Sequence, residues 1–163
     1  TLTVRAGALG VYEGQDNWLE FTALDANGKE IKSSDYLGKK FALYFYPKDN
    51  TPGCTSQACS LKEGYNDLQS AGLEVIGVSV DDEKSHQKFI TKYELPFPLI
   101  ADTDKKLVEA FGVWGEKKMY GRTYFGTYRT TFIIDEEGKV EHIITPKSIK
   151  VKEHAAQLLK LVK

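Results

Sequence analysis

The chain has 163 residues, 41% of them apolar, with 22 Lys plus Arg against 23 Asp plus Glu. A chain of this length suits one domain over residues 1–163, because folding at this size removes about 70% of the unfolded surface from water and needs no disulfide staples. The near-zero charge balance gives no drive toward nucleic acid or an anionic membrane, and no apolar stretch approaches the roughly 20 residues of a membrane span.

Thr1 to Gly14 lacks the basic, apolar, small-residue order of a secretory signal, so the expected compartment is the cytoplasm. The first residue is Thr and not Met, which leaves an upstream segment open, and residues 1–17 are read as an N-terminal extension. Trp18 to Leu24 alternates loosely and leads to Asp25-Ala-Asn27-Gly28-Lys29; the Asn-Gly pair favours positive φ, so a β-hairpin ending near Ile31 is expected. Ser33 or Ser34 is the candidate cap of a short turn toward Gly38. Phe41 to Tyr46 reads as a buried strand, followed by a helix over about Thr55 to Ser70 with Gly72 as its stop signal, and Leu73 to Val80 as a second buried strand. The near-continuous apolar character of both strands suits a parallel sheet covered on two faces, joined by a right-handed helical crossover.

A helix over Ser85 to Tyr93 stops before Pro96-Phe97-Pro98, a short strand falls near Leu99 and Ile100, and a further helix runs from Asp104 to Phe111. Trp114 to Tyr128 reads as a long, glycine-punctuated loop. Its Trp114, Met119, Tyr120 and Tyr124 are candidates either for packing onto the domain or for a recognition groove. Arg129 to Ile134 and Val140 to Thr145 form a hairpin around Glu136-Glu-Gly138, and Val151 to Val162 a terminal amphipathic helix. The order is βαβ and then, after an insertion, ββα. That is an α/β, thioredoxin-like fold: a central mixed β-sheet flanked by helices, with an N-terminal β-hairpin extension.

Cys54 and Cys59 are the only cysteines, five positions apart, just beyond the first buried strand and the segment Pro47 to Gly53. The Pro52-Gly53 turn puts Cys54 at or near a helix N-terminus. Unsatisfied amide donors and a partial positive charge there favour thiolate over thiol, which makes the sulfur nucleophilic. In regular helix, positions i and i+5 have Cα atoms about 8 to 9 Å apart, whereas a disulfide needs them within about 7 Å. A bond between Cys54 and Cys59 therefore requires the first helical turn to unwind, which makes the pair a switch. The plain alternative is a small buried Cys59 beside an incidental surface thiol.

His86, His142 and His154 lack the close spacing of metal ligands, and Asp81-Asp-Glu83 reads as a solvated strand end and helix cap. Tyr44 and Tyr46 share one face of their strand, where one of them is a candidate wall for the site and the other a core residue.

Pro47-Lys-Asp-Asn-Thr51-Pro-Gly-Cys54 resembles the peroxiredoxin active-site pattern Pro-x-x-x-Thr-x-x-Cys. Cys54-Thr-Ser-Gln-Ala-Cys59 has the spacing of the bacterioferritin comigratory protein, or Q-type, branch. The likeness continues through Gly77-Val-Ser-Val-Asp81, Leu95-Pro-Phe-Pro-Leu-Ile-Ala-Asp102, Trp114-Gly-Glu-Lys-Lys-Met-Tyr-Gly121 and Arg129-Thr-Thr-Phe-Ile-Ile-Asp135, covering roughly residues 18 to 163. The start departs from the family: Gly14-Gln-Asp-Asn-Trp-Leu-Glu-Phe21 stands where a Gly-Asp-x-Ala-Pro-x-Phe segment is usual, and it lacks the proline.

The resemblance implies thiol-dependent reduction of hydrogen peroxide and organic hydroperoxides, with no flavin, haem or metal cofactor. Cys54 attacks the peroxide and becomes a sulfenic acid. Arg129 favours the thiolate and steers the peroxide oxygens, the Thr51 hydroxyl holds peroxide against sulfur, and Pro47 shields the site and fixes the turn. Cys59 resolves the sulfenic acid as an intramolecular disulfide, which thioredoxin or a related dithiol reductant reopens. A monomer is implied on the same grounds. Two other functions compete: a protein disulfide oxidoreductase, which usually carries Cys-x-x-Cys where four residues intervene here, and a thiol redox sensor whose partner the sequence does not name.

Overall fold

The structure, a computed structural model, describes residues 21–162. The expected extension over residues 1–17 and the start of the first strand at Trp18 lie outside the described residues. Strands β1 (Thr22–Leu24) and β2 (Glu30–Lys32) pair antiparallel, and the Asp25 carboxylate between them accepts from the Asn27 and Lys29 amides. Ser33 is not a helix cap. Its hydroxyl accepts from the Phe21 amide at 2.8 Å and ties a 3-10 turn, Ser33–Tyr36, to the chain entering the hairpin.

The strand, helix, strand unit follows as β3 (Lys40–Phe45), α1 (Pro52–Glu63), α2 (Tyr65–Ser70) and β4 (Leu73–Ser79), with β3 and β4 parallel. Next come α3 (Glu83–Tyr93), β5 (Leu99–Ala101), α4 (Lys106–Ala110), β6 (Trp114–Met119), β7 (Arg122–Thr127), β8 (Thr130–Ile134), β9 (Val140–Ile144) and α5 (His154–Val162). The five-stranded sheet runs β5-β4-β3-β8-β9, with β5 parallel to β4, and β8 antiparallel to both β3 and β9. This is the mixed sheet flanked by helices that the sequence predicts.

Strand β3 lies at the centre, and its two-residue period divides the core. Phe41, Leu43 and Phe45 enter one layer with Phe21, Leu107, Phe111 and Phe132. Ala42, Tyr44 and Tyr46 enter the other with Cys54, Ala58, Leu61, Phe89 and Leu158. The helix that carries Cys54 therefore rests on the tyrosine face of the central strand, and Ala58 and Leu61 anchor it there without any exposed surface. Burying a leucine in this way contributes about 1.5–3 kcal/mol.

The helix expected over residues 55–70 ends at Ser70 as expected but differs at its start and in the middle. It starts at Pro52, because proline at the first helical position gives up an N–H that has no intrahelical partner there. It breaks at Gly64, where α5 crosses so closely that a Cβ on Gly64 would stand 2.5 Å from the Ala155 Cβ. The Ala155 amide donates to Ser60 Oγ at 3.2 Å, which fastens the crossing. Leu61 and Leu68 keep one apolar face across the break, so the sequence period runs through it.

The expected loop over Trp114 to Tyr128 is instead the antiparallel ribbon of β6 and β7. Tyr120 (φ 52°) and Gly121 (φ 78°) both have positive φ and form its two-residue turn. The ribbon shows most of both faces to solvent, so it carries no apolar alternation to mark it as strand. Of the aromatic and apolar candidates there, Trp114 packs against the core, while Met119, Tyr120 and Tyr124 are exposed.

Candidate active site

Thr51 caps α1 with extended backbone (φ −99°, ψ 157°), and its carbonyl accepts the first helical bond from the Thr55 amide at 2.8 Å. Cys54 is thus the third helical residue, in the first turn, whose amides point away from the helix without intrahelical partners. It is 2% exposed. The Thr51 hydroxyl donates its proton to the Lys48 carbonyl at 2.9 Å, so its lone pairs remain free to accept.

Arg129 stands between β7 and β8, directly before β8, an interior strand of the central sheet. Its guanidinium forks: Nη1 donates to Gln57 Oε1 at 2.6 Å and Nη2 to Cys54 Sγ at 3.3 Å. Gln57 lies one turn past Cys54 on the same helix face, and both are buried. Gly53 leaves the approach open; a Cβ there would stand 3.2 Å from Nη2. The cation therefore meets sulfur on one side and a fixed amide oxygen on the other, and neither ion nor dipole needs to reorganise when charge shifts off sulfur.

Tyr44 closes the floor. It is fully buried, its hydroxyl has no hydrogen-bond partner among the described residues, and Gln57 Nε2 is similarly unpartnered. Burial, with the neighbouring charges of Cys54 and Asp49, raises the Tyr44 pKa well above the usual phenol value, so the group keeps its proton as a donor. Lys117 on β6 donates to the Thr127 carbonyl at 3.0 Å. Burial lowers its pKa and the Arg129 cation lowers it further, while Cys54 acts in the opposite sense. Tyr44 is thus the strand-face tyrosine expected as a candidate wall of the site; Gln57 and Lys117 were not assigned by sequence reasoning, and of these Gln57 had a readable signal, its position one helical turn after Cys54.

Of the expected site residues, the structure joins Cys54 to Arg129 directly. Thr51 sits at the cap of the same turn, and Pro47 is half-buried where β3 gives way to the loop; neither has a hydrogen bond to Cys54 or Arg129 among the described residues. Cys59 lies further along the intact α1, half-buried, and both thiols are free.

The loop itself is held by a residue that the sequence did not single out. Asp49 is buried, with Oδ1 accepting from the Tyr46 hydroxyl at 2.6 Å, and Oδ2 contacting Ser85 Oγ at 2.8 Å and His86 Nδ1 at 2.6 Å. Its amide donates to Asp81 Oδ2 at 2.8 Å. Asp81 is consequently not a solvated strand end; the capping role expected of this run belongs to Asp82, which accepts from the Ser85 amide. Asn50 (φ 58°) accepts at Oδ1 from Lys92 Nζ and the Tyr93 hydroxyl.

Residues 15–143 match the AhpC/TSA family. Peroxiredoxin Bcp of Bacillus subtilis is 45% identical over 137 residues, which cover 84% of this chain and 86% of that protein. Peroxiredoxin Bcp of Escherichia coli K12 is 43% identical over 124 residues, 76% of this chain and 80% of that one. Among solved structures, Peroxiredoxin Q of Xanthomonas campestris is similar with a TM-score of 0.79 at 35% identity, over 86% of this chain and 88% of that chain. A structure of the Xanthomonas campestris bacterioferritin comigratory protein, concerned with its alkyl peroxide reduction activity, matches with the same score and identity. A cysteine in the first turn of a helix, an arginine on its sulfur and relatives of this kind lead to one conclusion: the chain belongs to the AhpC/TSA family and is a peroxiredoxin, a thiol-dependent peroxidase.

Proposed function

We propose that Cys54 is the peroxidatic nucleophile of a single-domain, two-cysteine cycle that reduces hydrogen peroxide and organic hydroperoxides. The Cys54 thiolate attacks the terminal peroxide oxygen; an S–O bond forms, the O–O bond breaks, and the leaving oxygen takes a proton and departs as water or alcohol. Arg129 stabilises the thiolate and then the charge moving along the O–O axis. Thr51, whose own proton is spent on the Lys48 carbonyl, accepts from the peroxide hydroxyl. Pro47 screens the mouth of the site.

Cys59 then attacks the Cys54 sulfenic sulfur after the first turn of α1 unwinds, releasing water and leaving an intramolecular disulfide. Thioredoxin or a related dithiol takes the oxidising equivalents, and the working form is a monomer in the cytoplasm, where such dithiols are kept reduced. The observation that carries the reading is the 3.3 Å approach of Arg129 Nη2 to Cys54 Sγ at the start of a helix. Mass analysis of reduced protein after stoichiometric peroxide tests it. Loss of two hydrogen atoms, mapped to a link between the Cys54 and Cys59 peptides, is the expected result. A stable oxygen adduct on Cys54 with no link would remove Cys59 from the cycle.

A further inference from the structure

His86 has no exposed surface and meets acceptors at both ring nitrogens. Nε2 lies 2.8 Å from the Ile100 carbonyl, which cannot donate, so Nε2 carries a proton. Nδ1 lies 2.6 Å from Asp49 Oδ2, an oxygen that already takes the Ser85 hydroxyl, while Oδ1 takes the Tyr46 hydroxyl. A carboxylate so supplied offers Nδ1 only an acceptor, so Nδ1 carries a proton as well. The ring is an imidazolium paired with a buried carboxylate.

We propose that the His86–Asp49 ion pair is the positioning device of the active-site loop: it fixes the segment from Pro47 to Thr51 against α3 and β5, and so sets where Thr51 stands relative to Cys54. The proposal rests on the assignment of Cys54 as nucleophile. Asp49 is the midpoint between Pro47 and Thr51, and its side chain reaches the end of β3 through Tyr46 and α3 through Ser85 and His86. Its amide reaches Asp81, beyond the end of β4. A loop tied to three elements at one residue has little freedom to shift its hydroxyl, and a displacement of about 1 Å at a reacting group costs up to about 100-fold in rate. Breaking a buried pair by removing one partner strands the other, so the clamp is either whole or lost.

The groups facing the ring are Asp49 from the loop, Asp81 beyond β4, Tyr46 from the end of β3, Ser85 on α3 and the Ile100 carbonyl of β5. Burial is the largest influence on the ring and disfavours its charge. The Asp49 hydrogen bond and charge, the Ile100 carbonyl and the Asp81 charge together outweigh it and raise the His86 pKa above the usual imidazole value. The clamp therefore holds while the ring is protonated and opens as pH rises through the raised His86 pKa.

The test uses the full-length reduced protein. Nitrogen NMR of the histidine rings at pH 7 is expected to show His86 protonated at both nitrogens. Asp49→Asn and His86→Gln are each expected to lower the rate of Cys54 oxidation by hydrogen peroxide about 10- to 100-fold. Alkylation of Cys54 by iodoacetamide, which needs the thiolate but no peroxide-holding group, is expected to change less than about 2-fold, because the device acts on position and not on ionisation. In the unsubstituted protein, the ratio of peroxide rate to alkylation rate should fall with the midpoint of the His86 titration. A singly protonated His86 at pH 7 overturns the proposal, as does an equal fall of both rates in the two variants. If Cys54→Ser still consumes peroxide, the nucleophile assignment fails instead, and the ring spectrum decides the ion pair separately.

Discussion

Gly53 and Arg129 fit together because Gly53 has no side chain: a Cβ would stand 3.2 Å from Nη2, closer than carbon and nitrogen ordinarily settle. Gly53 is also the second residue of α1, where alanine is the better helix former by up to about 1 kcal/mol. Gly53→Ala should therefore separate stability from activity. The melting temperature is expected to rise by about 2–4 °C, while stopped-flow oxidation of Cys54 slows because the guanidinium must retreat by a few tenths of an ångström. An unchanged rate in this variant would show that the fork has slack.

Arg129 serves two acceptors at once, Gln57 Oε1 and Cys54 Sγ. Arg129→Met removes both bonds and should slow Cys54 oxidation by about 10- to 100-fold, the loss of a charge-assisted bond of about 1.5–3 kcal/mol. Arg129→Lys keeps the charge but cannot fork, so its rate is expected between the two. Equal rates for the lysine variant and the unsubstituted protein would reduce the role to charge alone.

The cysteines are expected to fail differently. Cys54→Ser should abolish peroxide consumption. Cys59→Ser should undergo one oxidation at an unchanged rate and then stop, because no second sulfur displaces the sulfenic oxygen. Coupled turnover with a thioredoxin-type reductant checks both, and sustained turnover of Cys59→Ser would mean that the reductant itself resolves Cys54.

His154 presents the opposite titration to His86. Its Nε2 accepts from the Thr131 hydroxyl at 2.8 Å and its Nδ1 donates to Gln157 Oε1 at 3.0 Å; Gln157 Nε2 donates to the Ser148 carbonyl, which fixes that orientation. The ring is neutral, and burial, opposed by the Gln157 bond and assisted by the Arg129 charge, lowers its pKa to about 4. Between that value and the unfolded value of about 6.5, the unfolded chain binds the extra proton, so stability falls as pH falls through this window. The loss amounts to about 3 kcal/mol. Urea denaturation from pH 7 to 4 should show it, and His154→Gln should flatten that part of the profile.

Much of this was legible in the sequence where a residue's role is decided by its neighbours along the chain. Phe41–Tyr46 and Leu73–Ser79 are apolar on both faces because both faces are covered, and Pro52-Gly53 announces the helix start that places Cys54. Features set by distant partners were not legible. The β6–β7 ribbon exposes both faces and so leaves no period. The Gly64 break exists for Ala155, and the Asp49–His86 pair spans 37 positions with no local pattern to join them. Asp81 looked like surface charge because nothing near it in the chain reveals the Asp49 amide that it accepts.

The seat of α5 on α1 limits how much backbone the proposed redox cycle can disturb. Downstream of Cys59, Ser60 is bonded to Ala155, Lys62 Nζ reaches the Tyr93 carbonyl at 2.9 Å, and Gly64 is pressed against α5. Upstream of Thr51, Asn50 is bonded to Lys92 and Tyr93. In the proposed cycle, rearrangement is thus expected to stay between these two moorings, at the start of α1. Oxidation should leave the sheet, both buried histidines and the terminal helix undisturbed, and the reduced form can rewind from a template that never dissolved.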